Sequence, residues 1–495
     1  MSISHPDRIQ PMLPPTIMFK GISTISSKKR KLIPTIFLPW LLALCLLRDP
    51  VSSYLIAWLG SFFIFYLTLF SPLKYLEEGI PISQQVMRPV LLLQLVFAGF
   101  MCCTSIFYFL DHIGYRYLND INSRNFVVDV NTYALARCQR YYVLGHACLV
   151  AGLILPAKRK ILPGYQLRGE LSRFLLPACI VCVFAAKVLS SMAGLAQFSL
   201  LLRGIGEFSG TLLMVKGLHK RNSKHLLFGG AIFIYILLGS TLTGYKEAVI
   251  VKILMLLFLL FPYYKKMISV IALPCLGILL YVLPTLATTI RAQAWSGSDS
   301  AEQARLDAYE LLVAPDRSGH VSETNWDFLK DRFSEIGMFR QYVDFVPIQH
   351  GYYGFELLGV SLTALIPRVL WSGKPNTETV SMQRVYDSGA VNRLSDVSAK
   401  TRPIVDGYLS AGAFGIIIVM LAYGLLTQTI CNTAERLFGG YECGCILIFN
   451  GMFQQLWRGN NLEFLINNIF YGCVLMGILF ILLKKFNILI PAQAS

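Results

Sequence analysis

The sequence predicts an all-α polytopic membrane protein with about 12 transmembrane helices and one large periplasmic loop between the ninth and tenth. Three observations carry this. The chain has 495 residues, of which 55 % are hydrophobic and 15 % charged, and its mean hydropathy is +0.56. A soluble domain carries roughly 45 to 50 % apolar and about 25 % charged residues. Apolar runs of about 20 residues recur along the chain, the length that crosses a bilayer core of roughly 30 Å at 1.5 Å rise per helical residue. The runs are continuous rather than alternating, which excludes barrel strands.

Taken in order, the spans are 32–47, 51–70, 89–110, 141–157, 174–195, 199–218, 226–243, 247–264, 268–290, 407–427, 438–456 and 461–483. Spans one to nine thus occupy 32–290 and the last three 407–483. Around them lie a basic segment 1–31, the loop 291–406 and a tail 484–495. The first span is followed by Arg48-Asp49 rather than a small-x-small site, and Leu44 precedes Cys45 where a lipobox needs a small residue, so it reads as an uncleaved anchor. Short loops on one side hold Lys28, Lys29, Arg30, Lys31, Lys74, Arg88, Lys158, Arg159, Lys160, Arg168, Arg173, Lys220, Arg221, Lys224, Lys265, Lys266, Arg436, Lys484 and Lys485. Those on the other side are poorer in Lys and Arg. The positive-inside rule then places both termini in the cytoplasm and the long loop outside, with His320 and Arg393 periplasmic.

The net charge of +16 is topogenic, not a nucleic-acid signature. The loop 291–406 holds 12 Lys/Arg and 15 Asp/Glu, so the whole excess lies in the membrane-flanking segments. Most of the 12 Cys lie in or beside apolar segments and none in the loop. No disulfide framework or metal site is expected, and Cys179-x-x-Cys182 reads as core packing. The two halves of the chain show no internal repeat, which argues against a transporter.

Ionisable residues within spans are costly, so their depth is informative. Lys187 lies about 21 Å above Arg173 at 1.5 Å per residue. Arg203, Glu207, Lys246, Glu247 and Lys252 share its outer half. Together they suggest a polar cavity opening outward. The loop above carries Arg291, Arg332, Arg340, Arg368, Lys374, Arg384, Arg393 and Arg402 beside Glu335, Asp344, His350, Asp387 and Asp406, and Arg458 falls between the last two spans. The guanidinium fork binds phosphate oxygens in bidentate fashion and stays charged, which suits a diphosphate. The apolar stretch 355–371 is short and carries Pro367-Arg368 near its end, so it is expected to be a re-entrant or interfacial helix.

Ile366-Pro367-Arg368-Val369-Leu370-Trp371-Ser372-Gly373-Lys374-Pro375 resembles the IPR-x-x-W-x-x-KP signature of O-antigen (Wzy-type) oligosaccharide repeat-unit polymerases. The preceding Arg332 to Glu335, Val346-Pro347 and Gly351 to Gly354 are similar to that family's pattern, as are Asp406-Gly407-Tyr408, Gly412 and Gly415 after it. The resemblance covers about 300–430. Where the family has an Asn at re-entry this chain has Ser410-Ala411-Gly412, so no role for that Asn carries over.

The resemblance implies a polymerase of polyprenyl-diphosphate-linked oligosaccharide units, for O-antigen, capsule or exopolysaccharide, on the periplasmic face of the inner membrane. A hydroxyl of one unit attacks the anomeric carbon of the growing chain and polyprenyl diphosphate leaves. Arg368, Lys374, Arg291, Arg402, Arg332 and Arg458 are the candidates for diphosphate binding, a task an Arg/Lys cluster performs without metal. Asp406 and His350 are the candidate bases, with Asp406 four residues after Arg402 and expected on the same helical face. No Asp-x-Asp or His cluster points to a divalent ion, so the glycosyltransferase is expected to be metal-independent and to need no cofactor. Its expected partners are a lipid-linked oligosaccharide, membrane lipid, a chain-length regulator and a flippase, and no nucleic acid. An O-antigen ligase, kept open by His350, and a polysaccharide or lipid-linked-sugar transporter are the rival readings.

Overall fold

The computed structural model describes residues 27–492 except 78, 117–119, 122–127, 159, 193, 243–245, 297–324, 368–369, 372 and 394–398. Among the described residues eight helices are long and apolar enough to cross a membrane, and the protein is an α-helical membrane protein. The chain runs through α1 (Ser27–Ile36), α2 (Leu38–Cys45), α3 (Pro50–Leu69), α4 (Pro89–His112), α5 (Val130–Ile154), α6 (Leu171–Ser190), α7 (Ala196–His219), α8 (Ser223–Leu242) and α9 (Lys246–Ser296). It continues with α10 (Ile336–Phe345), α11 (Glu356–Thr363), α12 (Thr377–Asp387), α13 (Pro403–Leu437) and α14 (Leu462–Lys485).

Local chemistry sets where these helices begin. Proline occupies the first turn of α2, α3, α4 and α13, where its missing N–H costs nothing. Asp49, Asp129 and Asn461 accept the orphan N–H groups of Ser52, Thr132 and Phe464. At Asp129 the Thr132 hydroxyl accepts from the Asp129 N–H in return, closing a capping box.

Several apolar runs take a less regular form than their composition predicts. The first breaks at Phe37 into α1 and α2, with Pro34 and Pro39 on either side. The eighth and ninth follow one another within α9 as two helices meeting at a kink of non-helical backbone at Tyr264, so Lys265 and Lys266 lie just past that kink with no loop between the runs. The eleventh is a π-helical stretch (Tyr441–Phe449) followed by two short turns (Asn450–Met452 and Gln454–Arg458). A second π turn (Ala98–Cys103) interrupts α4. Among the described residues of segment 355–371, helix is limited to the eight residues of α11, about 12 Å long, with Phe355 exposed and Tyr471 of α14 donating to the Leu365 carbonyl at 2.8 Å.

Close helix crossings use glycine. A Cβ on Gly152 of α5 would lie 2.2 Å from the Leu421 carbonyl of α13, and one on Gly424 would lie 2.2 Å from the Leu149 carbonyl. Small residues at a crossing let backbones approach where lipid offers no hydrophobic drive.

Contacts separate the bundle into two ends. At one, Lys29 donates to the Leu155 and Ala157 carbonyls at 2.7 and 2.9 Å. Arg88 reaches Glu435, Lys216 reaches Glu442, and Tyr165–Leu167 pairs antiparallel with Leu489–Pro491. These are the segments whose Lys/Arg excess marks one side in the sequence. At the other end, Tyr133 reaches the Arg48 carbonyl, Trp326 reaches Asp111, and Glu335 and Arg384 bond residues at the starts of α13 and α14.

Candidate functional site

Asp406 lies in the first turn of α13 and is completely buried. Its Oδ1 accepts from Arg384 Nε at 3.1 Å and its Oδ2 from the Leu462 backbone N–H at 2.8 Å. Arg384, from α12, also forms a fork on Glu463, with Nη1 to Oε1 at 2.6 Å and Nη2 to Oε2 at 2.8 Å, and donates to Thr401 Oγ1 at 3.0 Å. Burial acts to lower the Arg384 pKa, but Asp406 and Glu463 more than offset it, so the guanidinium is held charged more firmly than usual.

The expected pairing of Arg402 with Asp406 is therefore corrected. Arg402 is the N-cap of α13 with extended backbone, so its side chain leaves the helix in a different direction from that of a residue inside it. Arg402 instead binds Glu335, with Nη2 to Oε1 at 2.8 Å and Nε to both oxygens at 3.2 Å, and donates to the Gly459 carbonyl at 2.7 Å. Its guanidinium lies 5.4 Å from the Phe100 ring centre. Arg402 and Arg458 border one narrow cleft of about 20 Å³, lined also by Phe97, Phe100, Tyr423 and Trp457.

The remaining predicted residues are dispersed. Lys374 is buried, and its ammonium donates to the Ala364 and Ile366 carbonyls at 2.6 and 2.8 Å, tying down the chain after α11. His350 is exposed at 4.5 Å from the Tyr353 ring and 5.8 Å from Phe345, apart from Asp406 and its partners. Arg368, His320 and Arg159 lie outside the described residues, as do the side chains of Arg291 and Arg332. Of the outer-half charges, Arg203 pairs with Glu207 at 3.1 Å and Lys252 also binds Glu207, while Lys187 is exposed in the last turn of α6. The side chains of Lys246 and Glu247 lie outside the described part.

Sequence reasoning passed over a second basic group. Arg137 and Arg140 stand on the polar first turns of α5, which extends beyond its apolar run. Arg137 donates to the hydroxyls of Tyr141 and Tyr408, both at 3.3 Å, and Arg140 to the Ser53 hydroxyl at 2.8 Å. Among the described residues neither has a carboxylate partner. The available signal was two Arg three apart, with no acid on the helix that follows Asp129. The Tyr408 hydroxyl donates in turn to the Val346 carbonyl at 2.9 Å.

Beside Tyr408, α13 breaks at Ala411 and Gly412, where φ is +61° at the glycine. The break frees the Leu409 and Ser410 carbonyls, which accept from the Tyr353 and Gly354 N–H groups at 3.0 and 2.9 Å. A Cβ on Gly412 would come within 2.8 Å of the Tyr352 hydroxyl. The left-handed φ and this close approach both call for glycine here.

Fold and site together define a polytopic helical membrane protein with a charged, tyrosine-rich cluster at one end of its bundle. A family model described as a domain of unknown function, DUF8712, matches residues 38–491, and the chain belongs to that family. No match is found among curated proteins or among solved structures.

Proposed function

We propose that the protein polymerises polyprenyl-diphosphate-linked oligosaccharide repeat units on the periplasmic face of a bacterial inner membrane. The observation that carries this reading is the pair Arg137 and Arg140, whose guanidiniums bond tyrosine and serine hydroxyls and, among the described residues, no carboxylate. A guanidinium bonded to hydroxyls keeps its charge for a diphosphate. Arg402, paired with Glu335, and Arg458 border a narrow cleft at the same end of the bundle, lined also by Phe97, Phe100, Tyr423 and Trp457.

In the proposed reaction an acceptor sugar hydroxyl attacks the donor's anomeric carbon. The new C–O bond forms as the bond to diphosphate oxygen breaks, and the arginines stabilise the departing charge. His350 takes the hydroxyl proton, since its ring is exposed. Asp406 has no exposed edge, and both its oxygens are engaged by Arg384 and Leu462, so it acts as a positioning residue, not as the base. An O-antigen ligase would draw on the same exposed histidine and the same donor.

The polysaccharide ladder of a deletion strain tests this. A polymerase predicts single-unit capping, restored to a ladder by the wild-type gene. Accumulation of long lipid-linked chains would assign a ligase, and an unchanged ladder would overturn both.

A further inference from the structure

At the opposite end of α13, a second cluster takes no part in the proposed reaction. Cys431 and Glu435 are four apart on one face of the helix, and Cys445 comes from the following π-helical stretch. All three are buried, and one ligand atom from each lies within 4.8 Å of the other two. Gly444 makes this possible: a Cβ there would stand 2.4 Å from the Ala434 carbonyl and from Glu435 Cα, so only glycine brings the π stretch this close to α13.

We propose that Cys431, Glu435 and Cys445 form a site for a thiophilic divalent cation of the zinc class. A tetrahedral zinc with bonds of about 2.3 Å to sulfur and 2.0 to 2.2 Å to oxygen needs ligand-to-ligand edges of about 3.5 to 3.8 Å. Cys431 Sγ already lies 3.8 Å from Glu435 Oε1. The Met87 carbonyl oxygen, 3.3 Å from Cys445 Sγ, is within reach as a fourth donor.

The surroundings are those of a metal site. Arg88 holds both Glu435 oxygens at 3.0 and 2.9 Å and orients the carboxylate. Asn450 Nδ2 lies 3.7 Å from Cys445 Sγ and donates toward it. On binding, two S–H bonds break, two metal–sulfur bonds form and two protons leave. The net charge of the buried cluster is unchanged and no electron is transferred, which removes the usual desolvation objection to placing a dication here. A cavity of about 480 Å³ lined by Glu77, Gln84, Arg88, Glu435, Tyr441 and Glu442 supplies the path in. The cluster is not visible in the sequence, because Cys445 lies ten positions after Glu435 and their approach depends on the π stretch.

The test uses the full-length protein purified in detergent without chelator. Metal analysis is expected to find zinc at one ion per chain, retained in Cys443→Ser and reduced to background in Cys431→Ser and Cys445→Ser. The stripped wild-type protein, titrated with Co²⁺, is expected to develop thiolate-to-cobalt charge-transfer absorption, a readout that needs no variant to fold. Absence of that absorption, or a Cys431–Cys445 disulfide in the mass spectrum of the freshly purified protein, would overturn the proposal.

Discussion

Arg384 and Arg137 lie at the same end of the bundle and differ in their company. Arg384 is buried, and Asp406 and Glu463 occupy its donors. Arg137 is half-buried and bonds two tyrosine hydroxyls. A guanidinium enclosed by carboxylates has its charge balanced internally, whereas one bonded to hydroxyls keeps its charge for an incoming anion. The contrast assigns Arg384 to the scaffold and Arg137, with Arg140, to substrate.

The largest effect is expected from breaking the scaffold side. Arg384→Met leaves two carboxylates buried without their cation, a loss on the order of 3 to 5 kcal/mol. Thermal unfolding in detergent should show it, and a melting temperature equal to wild type would contradict the buried-network account.

On the substrate side, Arg137→Ala combined with Arg140→Ala should leave the melting temperature close to wild type and reduce polymer on the order of 100-fold, the scale of removing charge stabilisation from a transition state. Arg137→Lys should recover only part of the activity, because the ammonium keeps the charge but loses the fork. A ladder from the double variant that matches wild type would erase the contrast.

Asp406→Asn separates positioning from proton transfer. It weakens a buried charge-assisted bond, costing about 1 to 3 kcal/mol, and should leave polymer length near wild type in the protein that folds. His350→Ala should keep full stability and lose on the order of 100-fold in rate. The reverse pattern would return the base to Asp406.

The smallest effect concerns Asp129. Burial acts to raise its pKa, but the Thr132 N–H, His112, the Thr132 hydroxyl and Asn131 together outweigh it and hold the carboxyl below the ordinary carboxylate range. A depressed folded pKa means that its stabilisation is present above the unfolded value and fades as pH falls through the acid range. Asp129→Ala should cost about 1 kcal/mol at neutral pH, as loss of an N-cap does, and the gap to wild type should close on acidification. A gap that widens in acid would refute the cap.

The sequence is legible where one run of residues decides the outcome. Apolar length marks α3, α4, α6, α7, α8, α9, α13 and α14, and the Lys/Arg excess marks one end. It is silent where distant residues decide. Nothing local to Asp406 names Arg384 rather than Arg402, because the choice depends on where α12 and the start of α14 pack. The stretch 441–458 has the composition of a span, and its π turns follow from Gly444 lodging against α13. Arg137 and Arg140 look like loop charges until α5 is seen to begin well before its apolar run.

The central claim is that this end of the bundle performs glycan polymerisation, with Arg137 and Arg140 serving the substrate. It is tested most directly by reconstituting the purified protein in liposomes with a polyprenyl-diphosphate-linked repeat unit and following product length by gel. The account predicts a ladder from wild type and single units from the Arg137→Ala, Arg140→Ala protein at equal folded content. A ladder of equal length from both proteins would contradict it.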